Sequence, residues 1–282
     1  MDDVQERFQV AQEICRLAGQ GALKFFSAST ELKIDQKGKQ DWVSEADVGV
    51  ERFIRDELGR ACPKDGIIGE EHAPKSGESG FQWVIDPIDG TTNFINDIPA
   101  WTVVLAGVSQ GQTQIGVIYD PSADELFAAL RGQGAALNGQ RIAAAQAVGL
   151  SEGSVGVGYS NRVETMNILP VVDALLQRGA MFHRNASGAL SLAYVAAGRL
   201  LGYFEEHMNA WDCLAGQLLV HEAGGRIEAQ DADDMIARGG RVVVGCAGVF
   251  EELKSIADAA RTDQRWSGSR TGPLAAKDNS TS

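Results

Sequence analysis

The chain has 282 residues, a formal net charge of −13, and hydrophobic and charged fractions of 44% and 22%. This composition is ordinary for a globular protein with a real core, and no apolar run approaches the length of a membrane span. The acidic excess argues against binding of a nucleic-acid backbone, which needs clustered Lys and Arg; an acidic protein acting on an anionic substrate would need cations at its site.

The N-terminus is acidic where a secretory signal would be basic and then apolar, so we expect a cytoplasmic location. The four cysteines are far apart and form no metal-type pair such as C-x-x-C. We expect them to be reduced thiols that are mostly buried. They are Cys15, Cys62, Cys213 and Cys246.

The first half of the chain is predicted to begin with two amphipathic helices, over residues 3–26 and 44–60, because apolar residues recur there at three- and four-residue steps. The segment between them is predicted to be a loop or a short hairpin. Beyond Pro63, short β-branched apolar segments predict strands. These are residues 66–69, 83–85, 101–108 and 113–119.

Strands and helices alternate in the second half, which favours a layered α/β arrangement. The predicted strands are 155–158, 201–205 and 241–246, and the predicted helices are 163–178, 188–198, 212–222 and 250–261. We place a domain boundary in the patternless stretch 143–154. It separates an N-terminal α+β domain, 1–145, from a C-terminal α/β domain, 146–261. The polar stretch 262–282 is predicted to be a disordered tail.

The segment best suited to chemistry is Asp86-Pro87-Ile88-Asp89-Gly90-Thr91. Pro87 lacks a backbone donor, so we expect the strand to end with Asp86 at its carboxyl end. Gly90 allows a sharp bend, and the residues after it can begin a helix whose free amides bind an anion. Two carboxylates, the Ile88 carbonyl and amides suited to phosphate are thus close in sequence. The alternative is a capped turn with solvated aspartates.

Other acidic residues are ambiguous when each is taken alone. Glu70 follows a short apolar strand, which is where sites of α/β proteins form. Asp212 begins a predicted helix and could be only a cap. Asp41 and Asp47 flank the start of the second predicted helix.

Four groups of residues, taken together and in order, resemble the motifs of the inositol monophosphatase family. They are Asp41-Trp42-Val43-Ser44-Glu45-Ala46-Asp47, then Gly69-Glu70-Glu71, then residues 83–94, and finally Trp211-Asp212 with Glu222-Ala223-Gly224-Gly225. The resemblance covers about residues 5–260. It implies an α/β fold, the layered αβαβα sandwich of inositol monophosphatases and fructose-1,6-bisphosphatases.

The resemblance implies a site for two to three Mg²⁺ ions, whose hard oxygen ligands would be carboxylates and one carbonyl. It assigns Glu70, Asp86 and the Ile88 carbonyl to the first ion. It assigns Asp86, Asp89 and Asp212 to the second ion, and it implies a weaker third ion near Glu70. Inhibition by lithium, through the second position, is implied by the same analogy.

The resemblance also implies the catalytic roles. Thr91 and Asp47 would form a hydrogen-bonded pair that, with Glu70, orients the attacking water and takes its proton. The amides of Gly90 and Thr91 would hold the phosphate, and no side chain would be phosphorylated. Relatives are commonly homodimers, so a homodimer is expected.

For the substrate, Glu205 occupies the position that contacts a ring hydroxyl in inositol monophosphatases, and Asp212 is expected to contact the substrate as well. The alternative for Glu205 is a surface acid at a strand end. Thr92-Asn93 resembles the inositol phosphatase branch of the family and not the branch that acts on nucleotide 3′-phosphates, which implies a polyol phosphate. The stretch 184–189 departs from the family's Arg-x-x-Gly-Ser pattern by having alanine and serine. Inositol monophosphate is therefore the first candidate, and histidinol phosphate and fructose bisphosphate remain alternatives.

Two further function classes compete with the phosphatase. A non-catalytic metal- or phosphate-binding relative would keep the fold without turnover. A two-metal nuclease or phosphodiesterase is disfavoured by the acidic charge. None of the four histidines fits a general base; His72 could support the acidic residues beside it or lie at the surface, and His207 could face the substrate.

Overall fold

The structure is a computed structural model that describes residues 3–27, 34–38, 41–159 and 168–261. Within these ranges the strands form sheets of two, seven and five strands. None of the described helices has the length and apolar character needed to cross a bilayer. The predicted tail 262–282 and the start of the predicted helix 163–178 lie outside the described residues.

The helices of the described ranges agree with the sequence prediction in most cases. They are α1 (Val4–Phe26), α2 (Glu45–Ala61), α3 (Thr91–Phe94), α4 (Leu169–Gln177), α5 (Gly188–Ala196), α6 (Ala210–Glu222), α7 (Ala232–Arg238) and α8 (Phe250–Ala260). A single 3-10 turn, Leu150–Glu152, lies in the stretch where we placed the domain boundary.

The strands are assigned to the three sheets as follows. The two-stranded sheet is the hairpin β1 (Ile34–Gly38) and β2 (Asp41–Ser44). The seven-stranded sheet has the order β3 (Gly66–Gly69), β4 (Phe81–Asp89), β5 (Thr102–Ser109), β6 (Gln112–Asp120), β7 (Glu125–Leu130), β8 (Ala135–Leu137) and β9 (Gln140–Arg141). The five-stranded sheet has the order β11 (Met181–His183), β10 (Ser154–Val157), β12 (Gly202–Met208), β14 (Gly240–Gly245) and β13 (Arg226–Ile227).

The helices and the two larger sheets stack in layers through their apolar faces. Helices α1 and α2 pack on one face of the seven-stranded sheet, through stripes such as Ala11, Ile14 and Ala18. Helices α5 and α6 pack on its other face; α5 also contacts β12 and β14, and α6 also contacts β13 and β14. Helices α4 and α8 cover the far face of the five-stranded sheet. The predicted αβαβα sandwich is thus confirmed.

The middle layer explains why α5 and α6 lack a polar face. Each is covered on both sides by a sheet, so most of its circumference is buried. The cluster around them contains Val84 and Val104 of the seven-stranded sheet and Val242 of the five-stranded sheet. The division into domains 1–145 and 146–261 remains a prediction.

One local prediction, that the strand ends at Asp86, is wrong. Strand β4 continues through Pro87 to Asp89, and its register against β5 shifts between the pairs Asp86↔Val104 and Asp89↔Thr102. Pro87 therefore lies in an irregular stretch where its missing N–H leaves no ladder bond unmade.

Other boundaries also differ from the prediction. Helix α6 begins at Ala210, so Asp212 lies within its first turn, and β12 continues to Met208. The missed elements were β7, β8, β9, β11, β13 and α7. Most are only two or three residues long. In β7, five of the six residues are Ala, Leu or Glu, whose intrinsic preference for helix is overridden by pairing with β6.

Candidate active site

Three carboxylates meet where β4 ends and α6 begins. One oxygen each of Asp86, Asp89 and Asp212 lies within 4.8 Å of the others. Residues three apart in a regular strand point to opposite faces, so Asp86 and Asp89 could not share a site without the register shift between them. The irregularity at Pro87 is therefore what brings the two aspartates to one place.

Asp86 and Asp89 are buried, Asp212 is half-buried, and the three carboxylates repel one another. Burial raises the pKa of Asp86 well above its ordinary value, and the charges of Glu70, Asp89 and Asp212 raise it further. Burial also raises the pKa of Asp89, although the Ser187 hydroxyl and nearby amides oppose the shift. A cation among the carboxylates would remove this cost. Closely spaced, hard oxygen donors of this kind fit a divalent metal ion.

Asp89 is fixed by the start of α5. The Ser187 hydroxyl donates to Asp89 Oδ2 at 2.5 Å, and the Ala189 amide donates to the same oxygen at 2.8 Å. Ser187 also caps α5, because its oxygen accepts from the Leu190 amide. The departure from the family pattern in 184–189 thus supplies a serine that supports Asp89, a role that the sequence did not indicate.

Asp212 is fixed by its own helix. The Asn209 side chain accepts from the amide of Asp212, and Asp212 Oδ2 accepts from the Asn209 amide at 3.1 Å. This reciprocal capping box orients the carboxylate at the first turn of α6.

The predicted pair of Thr91 and Asp47 is present. Thr91 Oγ1 lies 3.0 Å from Asp47 Oδ1 and 3.1 Å from the Ile88 carbonyl oxygen, and its single proton can go to only one of them at a time. Asp47 is buried in the first turn of α2. Gly90, with a φ of 99° that favours glycine, caps the short helix α3.

A cavity of about 410 Å³ opens over the carboxylates, a size that suits a small ligand. Apart from Asp47, every residue predicted for the site lines this cavity; they are Glu70, Asp86, Ile88, Asp89, Gly90, Thr91, Glu205 and Asp212. Glu70 lines the same cavity but is not part of the group of three carboxylates found among the described residues.

Glu205 faces the cavity from the middle of β12, not from a strand end. The Tyr203 hydroxyl donates to Glu205 Oε2 at 2.5 Å. Burial raises the pKa of Glu205 to about 7, against the bond from Tyr203, and the charges of Asp212 and Asp89 add to the rise. The surface alternative for Glu205 is therefore wrong, since it is a buried side chain.

Neither histidine considered for the site lines the cavity. His207 Nε2 lies 3.1 Å from the Arg238 carbonyl oxygen. His72 Nδ1 lies 3.3 Å from the carboxylate of Glu51, a buried residue of α2 that the sequence did not single out. The four cysteines are buried free thiols, as expected.

Comparison with known proteins agrees with this geometry. The sequence model of the inositol monophosphatase family matches residues 3–264. The Nus factor SuhB of Escherichia coli K12 is 38% identical over 239 residues, which is 84% of this chain and 90% of that protein. The inositol-1-monophosphatase of Mesorhizobium japonicum is 39% identical over 231 residues, 81% of this chain and 87% of that protein.

A solved structure shows the same fold. The extragenic suppressor protein SuhB of Bartonella henselae superposes with a TM-score of 0.84 at 33% identity, covering 88% of this chain and 97% of that one. The motifs, the layered sandwich and the acidic cavity all agree with this likeness. The chain belongs to the inositol monophosphatase family.

Proposed function

We propose that this chain is a magnesium-dependent phosphatase that hydrolyses a small phosphate monoester, with inositol monophosphate as the first candidate. The proposal rests on the group of three carboxylates, the buried Asp86 and Asp89 and the half-buried Asp212, beneath a small cavity. Relatives named inositol-1-monophosphatase support the reaction class.

The proposed metal ligands are Glu70, Asp86, the Ile88 carbonyl, Asp89 and Asp212, for two to three ions. When bound, Mg²⁺ would neutralise charge on the phosphate oxygens and make a water more acidic. Ser187 and the capping box at Asn209 hold two of these carboxylates in place before any ligand arrives.

The proposed catalytic residues act on the attacking water. When the Thr91 hydroxyl donates to Asp47, its oxygen is left to accept a hydrogen bond from water. Glu70, on the same cavity, would accept the proton. The amides of Gly90 and Thr91 would hold the phosphate at the start of α3. Positioning and charge, without a covalent intermediate, would supply the acceleration.

Glu205 is the proposed contact for a substrate hydroxyl, which favours a polyol. Its carboxylate lines the cavity, and Tyr203 holds one oxygen. Histidinol phosphate and fructose bisphosphate remain the alternatives. A homodimer and a cytoplasmic location remain predictions.

The test is phosphate release from inositol, histidinol, fructose, glycerol and adenosine phosphates, with Mg²⁺ and with a chelator. We expect turnover to require the metal and to be fastest on an inositol monophosphate. Metal-independent turnover would overturn the mechanism, and a strong preference for histidinol or fructose phosphate would overturn the substrate.

A non-catalytic relative is the second candidate, because the relative from Escherichia coli is named as a Nus factor and not as an enzyme. Magnesium binding seen by calorimetry, without turnover on any of the five phosphates, would favour it. The complete set of acids expected for catalysis, including Asp47 and Glu70, supports the enzyme instead.

A further inference from the structure

Glu51, in the middle of α2, is a buried acid without a role in the site described above. Its side chain is fully buried. Arg55, one turn later, donates to Glu51 Oε1 at 2.6 Å. An ion pair of this kind between neighbouring turns of a helix is usually exposed and contributes little. The burial of Glu51 therefore requires another explanation.

The explanation lies in the loop that follows β3. Both carboxylate oxygens of Glu51 accept backbone amides of this loop: Oε2 from Glu71 at 2.7 Å and Oε1 from His72 at 3.2 Å. Arg55 Nη2 donates to the His72 carbonyl oxygen at 3.1 Å. The Glu51–Arg55 pair thus holds the backbone immediately after Glu70.

The same carboxylate also lies close to the backbone immediately before Glu70. Gly69 ends β3, and a Cβ placed there would lie only 2.2 Å from Glu51 Oε1. The Glu51 carboxylate therefore lies against the Gly69 Cα on one side of Glu70 and binds the amides of Glu71 and His72 on the other. Glu70 itself lines the cavity.

We propose that Glu51 is a positioning residue for Glu70: it fixes the loop that carries Glu70 into the cavity and thereby sets the affinity of the site for Mg²⁺. This inference rests on the proposed function, in which Glu70 is a metal ligand. Partners that orient metal ligands typically change metal affinity by about 10- to 100-fold when they are removed.

The test is Glu51→Gln, which keeps the side-chain volume but replaces one acceptor oxygen by an NH₂ group that faces donors. Mg²⁺ is titrated by calorimetry and by the Mg²⁺-induced rise in melting temperature. We expect Mg²⁺ affinity to fall by about 10- to 100-fold. Turnover at saturating Mg²⁺ should stay within a few-fold of the wild type, because Glu70 and Thr91 are retained.

The matched control is Glu222→Gln. Glu222 also accepts two loop amides, from Gly132 and Gly134, each at 2.8 Å. It lies ten residues after Asp212, about 15 Å along α6, and does not line the cavity. We expect this control to lose some stability with unchanged Mg²⁺ affinity.

A second variant keeps the test decisive if Glu51→Gln does not fold. Gly69→Ala pushes the Glu51 carboxylate away while leaving every charge in place, and we expect the same loss of Mg²⁺ affinity. Gly59→Ala, whose added methyl group meets nothing within 4 Å, is its control. Where both variants fold, their effects should be less than additive, because each breaks the same contact.

Two outcomes would overturn the inference in distinguishable ways. If the wild type and the folded variants bind Mg²⁺ equally well, Glu51 only stabilises the fold and the proposed function stands. If the wild type shows neither heat of Mg²⁺ binding nor a melting shift, the proposed function fails and the inference fails with it.

Discussion

Asp65, just before β3, and Asp86, in β4, are both buried carboxylates, yet their surroundings are opposite. Asp65 receives two bonds from Arg7, each 2.8 Å, and others from Ser79 and Trp83. Burial raises the pKa of Asp65, but these donors outweigh it and the pKa ends below its ordinary value. At Asp86, burial and neighbouring carboxylates both raise the pKa.

The difference separates a carboxylate that stabilises the fold from one that we propose binds a metal ion. The charge of Asp65 is balanced by Arg7, which is itself buried and packs against the Phe81 ring. At Asp86 the neighbouring carboxylates add to the cost of burial, and this group of acids lines a cavity. A buried acid that is paired with a basic side chain stabilises the fold. A cluster of buried acids that repel one another instead indicates a site for a cation.

The largest expected effect is the loss of turnover when Asp86 is replaced. Asp86→Asn should reduce phosphate release by about 10³-fold or more, because electrostatic stabilisation by metal supplies several kilocalories per mole. The melting temperature without Mg²⁺ should stay equal or rise, since one of the repelling charges is gone. Kinetics and thermal unfolding measure the two effects, and near-wild-type turnover would contradict the assignment.

Asp65→Asn should have the reverse effect: it should lower the stability of the fold and leave the Mg²⁺ dependence of turnover unchanged. Arg7 would lose its counter-charge, although Asn keeps an acceptor for Ser79 or Trp83, so we expect a loss of about 3 to 4 kcal/mol in the free energy of unfolding. Because the folded pKa of Asp65 is lowered, its stabilising effect is lost as the pH falls through that pKa. Denaturant unfolding measures this, and Mg²⁺ dependence of turnover in the folded protein should not change.

The contribution of Glu205 to stability should change with pH in the opposite direction to that of Asp65. A carboxyl whose folded pKa, here about 7, lies above the unfolded value stabilises the fold at low pH and ceases to do so as the pH rises through 7. Between pH 5 and 8, metal-free wild type should lose about 2 to 3 kcal/mol more stability than Glu205→Gln. Unfolding curves of both proteins at pH 5, 6.5 and 8 test this. An equal change in the free energy of unfolding with pH in the two proteins would contradict it.

The smallest effect is expected at Ser187. Ser187→Ala removes the hydroxyl that donates to Asp89 but leaves the bond from the Ala189 amide, so Mg²⁺ affinity should fall by about 10-fold. Ser187→Thr, which keeps a hydroxyl, is the rescue control. Calorimetric titration with Mg²⁺ measures the affinity of both variants. If both bind Mg²⁺ equally weakly, the loss comes from altered packing and not from the missing hydroxyl.

The sequence predicted the residues that lie in local motifs and missed those whose partners are distant. The motif around Asp86, together with Glu70 and Asp47, indicated a shared site, and the structure brings these residues together. Ser187 was noticed only as a departure from a pattern, because its partner Asp89 is 98 residues away. Its role depends on how α5 is set against β4.

Glu51 lies at a position of α2 that the sequence pattern could have identified as buried. At steps of four, three and four, the residues Asp47, Glu51, Ile54 and Leu58 lie on one face of α2, and all are buried. An acid on an apolar face requires buried partners, but nothing local identifies the amides after Gly69 as those partners. The path of β4 through Pro87 was missed for a similar reason: the register shift depends on pairing with β5.

The capping box at Asn209 gives the Asp212 carboxylate a structural role in addition to its place in the acidic group. Asp212 closes the first turn of α6, the central helix held between two sheets, so the same carboxylate belongs both to the helix and to the acidic group. Replacing Asp212 would loosen the helix end as well as alter the cavity, and a rate lost at this position would combine both causes. Asp86, which caps no helix, is the cleaner probe of the chemistry.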